Sequence, residues 1–182
     1  MRANPVEAAV TRGAYGADPV LDRRSIRKYT ADPVPEELVE RLLCAAMNAP
    51  SAGNQQPWQF VVVRDRSLLA QVPAVHPYAR MIVTASLAIV VCGDPATEKW
   101  PAFWVQDCAA ATENLLVEAQ YLGLGAVWLG VHPLVEREAG VRRIFGIPEA
   151  VVPFAIVVVG YPADTKLAAE RYDPARVHRD RW

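Results

Sequence analysis

Three stretches of this 182-residue chain carry consecutive apolar, largely β-branched residues: Val61–Val63 within Gln59 to Arg64, Ser86 to Cys92, and Ala155 to Val159. A strand with one face in water alternates apolar and polar residues, whereas a run without alternation belongs to a strand buried on both faces. Each stretch is therefore predicted as such a strand. Ala126 to Leu129 is a shorter candidate, giving a core sheet of four or five strands. At 52% hydrophobic residues the chain has the apolar material to bury such a sheet within one domain.

The helical patterns are equally definite. Leu38, Val39, Leu42, Leu43 and Met47 mark a helix from Glu36 to about Asn48, entered from the extended Asp32-Pro33-Val34-Pro35 and favoured by acidic charge in its first turn. The longest helix is predicted from about Phe103 to Leu122. Its apolar residues Trp104, Cys108, Leu115, Leu116 and Ala119 fall on more than one face, so it is expected to be buried all round, either threaded through the centre or half-covered by a second subunit. A further helix runs from about Leu134 to Phe145 and stops at Gly146 and Pro148. Met1 to Gly16 reads as a short helix, so residues 1–17 are taken as an N-terminal extension and 18–182 as one domain. Asp18-Pro19 looks like an N-cap and first-turn proline. The tail beyond Lys166 lacks apolar periodicity but ends in Trp182, an end expected to dock.

Composition excludes several functions. A net charge of −1 offers no attraction to nucleic acid or an anionic membrane. Cys44, Cys92 and Cys108 are odd in number and set among apolar neighbours, as reduced core thiols would be. His76, His132 and His178 are scattered, so no metal site is expected. There is no signal-peptide core and no membrane-length apolar run, which points to a cytoplasmic protein.

Against this neutral background RRSIRKY, Arg23 to Tyr29, concentrates three arginines, a serine and a lysine in six residues, donors suited to a phosphate monoester or, equally, to a solvated basic turn. APSAGNQQPWQF, Ala49 to Phe60, is rich in amides and turn formers, and its Trp58 is expected to dock. In YLGLGAVWLG, Tyr121 to Gly130, the glycines miss the dinucleotide-binding spacing and follow a helix instead of a strand. They read as a helix cap and turn before a core strand. No nucleophile elbow, carboxylate pair or Cys/His dyad is visible. Asp107, Glu113, Asn114 and Glu118, on a largely apolar helix, are expected to serve structural hydrogen bonding and not catalysis.

Taken in order, RRSIRKY, PSAGNQQPW, WVQDCAAATENLL, GLGAVWLGV and the tail RVHRDRW resemble the FMN-dependent nitroreductase family, as a short-chain member, over about Asp18 to Trp182. The resemblance implies an α+β fold of three α-β-α layers, with a central, mostly antiparallel sheet flanked by helices. It also implies an intertwined homodimer with two FMN sites at the interface. Arg23, Arg24, Ser25 and Arg27 would bind the FMN phosphate and ribityl chain. Pro50, Ser51, Ala52, Asn54 and Gln56 would reach the flavin from the partner subunit, and the backbone of Val127, Trp128, Leu129 and Gly130 would lie close to it. Arg181, or else Arg179, would complete the phosphate pocket. The implied activity is NAD(P)H oxidation by a ping-pong cycle, with NADH or NADPH as donor and a small electron-poor acceptor such as a nitroarene or quinone. A more specialised flavin reaction on the same scaffold, namely dehalogenation, azoline oxidation or flavin breakdown, is one alternative. A non-enzymatic phosphate-ligand or RNA-binding module is another. The Met1 to Gly16 extension has no counterpart in the family pattern, and the excursion that larger relatives carry over the flavin is absent.

Overall fold

The computed structural model describes residues 18–167 and 169–182. The helix expected over Met1 to Gly16 lies outside them. Four strands, β1 (Trp58–Val63), β2 (Leu87–Gly93), β3 (Gly125–Gly130) and β4 (Val152–Gly160), form one sheet in the order β1-β2-β4-β3, with every neighbouring pair antiparallel. The six α-helices among the described residues are α1 (Pro19–Asp22), α2 (Glu36–Met47), α3 (Arg66–Leu69), α4 (Val72–Val75), α5 (Trp104–Tyr121) and α6 (Val135–Phe145).

The non-alternating runs become the two central strands. Leu87, Ile89 and Val91 of β2 and Ala155, Val157 and Val159 of β4 pack into one apolar layer with α2 and α5. Ala88, Val90, Cys92, Ile156 and Val158 enter a second layer with Leu69, Val72, Ile82 and Val141, contributed by α3, α4, α6 and the turn between α4 and β2. Burying each such Leu, Ile or Val completely is worth roughly 1.5–3 kcal/mol, and this two-sided burial is the main force holding the three layers together. β1 departs from expectation. It is an edge strand, so Val61 and Val62 are only half-buried, while Trp58 docks as predicted at 7% exposure.

Two other expectations are corrected. Within one chain α5 buries a single face, Trp104, Asp107, Cys108, Ala111, Thr112, Leu115, Leu116 and Ala119, at the helical spacing of three and four. Its outer strip, including Ala109, Ala110, Glu113 and Val117, is half-buried, because the described residues cover that side only in part, with Arg23 pairing to Glu113. Cys44 is exposed: Val39, Leu42 and Ala46 define the buried face of α2, and the helical turn carries residue 44 away from it. Cys92 and Cys108 are core thiols, and burial pushes each up to about 12.

The basic stretch is fastened to this frame on two sides. Asp18 caps α1 by accepting from the amides of Val20 at 3.0 Å and Leu21 at 3.1 Å, and the chain then runs along the start of β3. There Ser25 pairs with Ala126, and the Ile26 amide donates to the Ala126 carbonyl at 3.0 Å. Gly125 makes this approach possible, since a Cβ there would meet the Ile26 side chain at 2.7 Å. On the other side the chain leaving β4 returns antiparallel along the stretch. The Thr30 amide donates to Tyr161, and the Ala163 amide to Lys28, both at 2.9 Å. The hydroxyl of buried Tyr29 donates within the stretch to the Ile26 carbonyl at 2.7 Å and reaches the sheet at the Val158 carbonyl of β4, 3.3 Å away.

Candidate functional site

The candidate residues fall on the basic stretch after α1, the turn before β1, the strand β3 and the C-terminal tail. Arg23 ends α1 and pairs with Glu113 of α5, Nε to Oε1 3.0 Å. Arg24 donates through Nε to the Leu167 carbonyl at 3.1 Å and through Nη1 to those of Leu21 at 2.9 Å and Arg23 at 2.6 Å. Its Nη2 is buried without a hydrogen-bond partner among the described residues. Arg27 is exposed. Lys166, which no sequence signal singled out, reaches back to donate from Nζ to the Ser25 carbonyl at 2.5 Å, adding a further cation to the cluster.

The amide-rich turn is built around a carboxylate from another element. Asp107 of α5, 4% exposed, accepts from the Ala52 amide at 2.9 Å and from Gln55 Nε2 at 2.7 Å. Gln55 Oε1 in turn accepts from the amides of Lys99 at 3.0 Å and Trp100 at 3.1 Å, tying the turn to the loop before α5. Ser51 Oγ accepts from the Gln56 amide at 3.1 Å, and Gln56 Nε2 donates to Asn54 Oδ1 at 3.2 Å. Gly53, Asn54 and Gln56 all take left-handed backbone, φ 53°, 55° and 50°, which costs little for glycine but strains the other two. The glycine is needed twice over, since a Cβ on Gly53 would lie 2.4 Å from the Trp100 indole nitrogen. Pro50, Ser51 and Ala52 with Phe103, Gln106, Asp107 and Ala110 line an open cleft of about 390 Å³. Asp107 thus does the structural hydrogen bonding expected of it, and the buried amide side chain of the turn is Gln55, while Gln56 is exposed.

In β3, Val127 and Leu129 are buried, Trp128 meets Phe154 edge-on at 5.6 Å, and Gly130 is exposed at the strand end. The Gly130 carbonyl accepts twice, from His76 Nε2 at 3.0 Å and from Arg137 Nη1 at 3.1 Å. Burial holds His76 below the ordinary histidine range, with the Gly130 bond opposing and the Arg137 charge reinforcing that shift. The unfolded chain takes up this proton near pH 6.5 and the folded chain resists it. The stabilisation from neutral His76 is therefore complete above about pH 6.5 and lost as pH falls below it. Thermal melts from about pH 7 to about pH 5 should show the parent losing more stability than His76→Gln.

One chain does not assemble these groups into a single pocket. Glu113, which holds Arg23, lies six residues beyond Asp107, which holds Ala52; that is about 9 Å along the α5 axis and about 120° around it. Arg179 and Arg181 are exposed, as are all of residues 169–182, and Trp182 is fully exposed with its indole stacked on His178. The expectation of a docked tail is not met within one chain: residues 169–182 are all exposed, beyond the return segment whose Leu167 carbonyl accepts from Arg24. No helix of the described residues is long and apolar enough to cross a membrane, and no metal-binding cluster occurs among them.

Comparisons with known proteins agree with this geometry. A family model described as Nitroreductase family matches residues 20–84 and 74–161. A Methanothermobacter thermautotrophicus protein provisionally named NADH dehydrogenase/NAD(P)H nitroreductase is 51% identical, over 90% of this chain and 85% of its own. A Clostridium acetobutylicum structure, provisionally an NADH oxidase, superposes with a TM-score of 0.88 at 44% identity, covering 91% of this chain and all of that one. A Desulfovibrio desulfuricans structure, provisionally a nitroreductase and solved in complex with FMN, gives a TM-score of 0.80 at 30% identity, covering 90% and 95%.

Proposed function

The chain belongs to the nitroreductase family, and from that we infer that it is an FMN-dependent NAD(P)H oxidoreductase working as a homodimer, with each FMN held between two protomers. Residues 18–182 would form one FMN-binding unit. The observation that carries the cofactor assignment is Arg24 Nη2, a buried guanidinium nitrogen with no acceptor among the described residues, set in the arginine-serine stretch that bridges to β3 at Ser25. A buried unpaired donor is costly, and a phosphate oxygen is the acceptor that suits it. Arg23, Arg24, Ser25 and Arg27 would hold the phosphate and ribityl chain, with Arg179 or Arg181 of the tail completing the pocket. Pro50, Ser51, Ala52, Asn54 and Gln56 of the partner, and the backbone of Val127, Trp128, Leu129 and Gly130, would border the ring.

The dimer reading rests on separation. A second protomer covering the half-buried outer strip of α5 would bring its own 50–56 turn to the basic stretch, and its tail would find a surface for Trp182. FMN held by these residues would supply the redox chemistry, the transfer of reducing equivalents from NADH or NADPH to an acceptor such as a nitroarene or quinone. The chain binds and orients. It presents charge to the phosphate, fixes the strained turn through Asp107, and leaves acceptor protons to solvent, so no acid/base constellation is required. The free thiols Cys44, Cys92 and Cys108 accord with a cytoplasmic location.

The test is direct. Purified protein should be yellow or take up added FMN, anaerobic NADH or NADPH should bleach it, and a quinone or nitroarene should restore the colour with ping-pong initial rates. Colourless protein that takes up no FMN contradicts the assignment.

A further inference from the structure

We propose that His76 and Arg137 are positioning residues that clamp the Gly130 carbonyl at the end of β3 and thereby set the environment of bound FMN, an inference resting on the site assignment above. Neither residue belongs to the arginine stretch or to the 50–56 turn, and nothing in the proposed chemistry has yet used them.

The clamp is costly to build. His76 is 2% exposed and lies against an otherwise apolar layer that includes Val72, Ile82 and Val141. An imidazole there loses its hydration, and its Nδ1 is buried with no hydrogen-bond partner among the described residues. A leucine would suit that layer better unless the bond at the other nitrogen mattered. That bond, 3.0 Å from Nε2 to the Gly130 carbonyl, requires the tautomer protonated on Nε2, because a carbonyl can only accept. The same oxygen takes a second bond, 3.1 Å from Arg137 Nη1. Arg137 is held in turn with its guanidinium 5.9 Å above the Tyr78 ring, and Tyr78 meets His76 edge-on at 6.2 Å.

Both lone pairs of the carbonyl are thus occupied, and the amide of the same peptide, on Val131, donates to the Phe154 carbonyl at 3.1 Å. The peptide plane after Gly130 cannot rotate without breaking three bonds. Gly130 itself is exposed, and a Cβ added to it would meet nothing within 4 Å. Its own surroundings therefore leave the strand end open toward solvent, on the stretch assigned to border the ring. A fixed peptide beside a redox ring stabilises its oxidised and reduced forms unequally without reorganising, which is how a positioning residue acts on a cofactor's potential.

The experiment compares FMN-loaded parent with His76→Leu, His76→Gln, Arg137→Met and Arg137→Lys, reading the midpoint potential of bound FMN, with Val131 amide exchange measured in each apoprotein. His76→Leu and Arg137→Met should each change the ratio of affinities for oxidised and reduced FMN by about tenfold, equivalent to about 30 mV for a two-electron couple. Val131 exchange should rise in both. His76→Gln, which keeps a side-chain N–H donor, should restore most of the parent potential, and Arg137→Lys only part, because a lone ammonium lacks the fork. If both donor-less variants keep the parent potential, the proposal is overturned, even where His76→Leu melts earlier. Should His76→Leu not fold, Arg137→Met, changed at a half-buried side chain near the start of α6, decides alone. A parent that binds no FMN would overturn the site assignment instead, while Val131 exchange would still report on the clamp.

Discussion

Replacing Asp107 by alanine should release FMN from the protein and lower its melting temperature, the largest effect expected of any single substitution outside the hydrophobic layers. Among the described residues the carboxylate is the acceptor for the Ala52 amide and for Gln55 Nε2, and Gln55 passes the constraint on to Lys99 and Trp100. Removing it leaves two donors without this partner, Gln55 Nε2 buried and the Ala52 amide partly so, and a buried unsatisfied donor costs about 1–3 kcal/mol. The turn it holds also carries two non-glycine residues in left-handed backbone, so it has conformational strain to relax once the anchor is gone. A loss of about 3 kcal/mol corresponds to a fall of about 6–12 °C for a chain of this length, which calorimetry would detect. FMN affinity should drop by more than about 100-fold, roughly the 3 kcal/mol of lost preorganisation. Asp107→Asn should not rescue it. Its NH₂ would confront either the Ala52 amide or Gln55 Nε2, and flipping Gln55 to relieve the second clash would turn the Gln55 donor toward the Lys99 and Trp100 amides. If Asp107→Ala held FMN as tightly as the parent, the turn would have no part in the site.

The second large effect concerns the basic stretch. Arg24→Ala and Arg27→Ala should each weaken FMN binding by about 1.5–3 kcal/mol, or about 10- to 150-fold, the worth of a charge-assisted hydrogen bond. The loss should grow smaller as salt is raised, because screening already weakens the parent. Riboflavin, which lacks the phosphate, should bind parent and variants alike. The two variants differ in one respect. Arg27 is exposed and should leave the melting temperature unchanged, whereas Arg24 ties the Leu167 carbonyl to α1 and its loss should loosen the return strand beyond β4.

How much of this could be read from sequence follows from which interactions are local. The central strands were legible because two-sided burial removes alternation from the sequence itself, as in Leu87–Gly93 and Val152–Gly160. The same signal misled at Val61 and Val62, since a strand's own residues do not say whether it lies at the sheet edge. Helices α2, α5 and α6 announced themselves by spacing and end signals, Gly146 at φ 65° among them. Nothing predicted α3 and α4, four residues each, too short for a helical period to appear. Within the candidate site the motif residues were visible as types, but their supports were not. Asp107 joins Gln55 across 52 positions, His76 joins Gly130 across 54 and Lys166 joins Ser25 across 141, pairings that only the fold creates. The exposure of Trp182 and of α5's outer strip has a different origin, because those surfaces are proposed to be completed by a second copy of the chain.

That proposal, a site shared between protomers, is the central claim, and subunit complementation tests it most directly. Arg24→Ala and Asp107→Ala chains, carrying different affinity tags, would be co-expressed and the mixed dimer purified. If each site takes its basic stretch from one chain and its turn from the other, the mixed dimer has one site with both defects and one with neither. It should then bind one FMN per dimer with parental affinity, while each homodimeric variant binds weakly. If every site were built within a single chain, both protomers would remain defective, and a mixed dimer holding no tightly bound FMN would contradict the account.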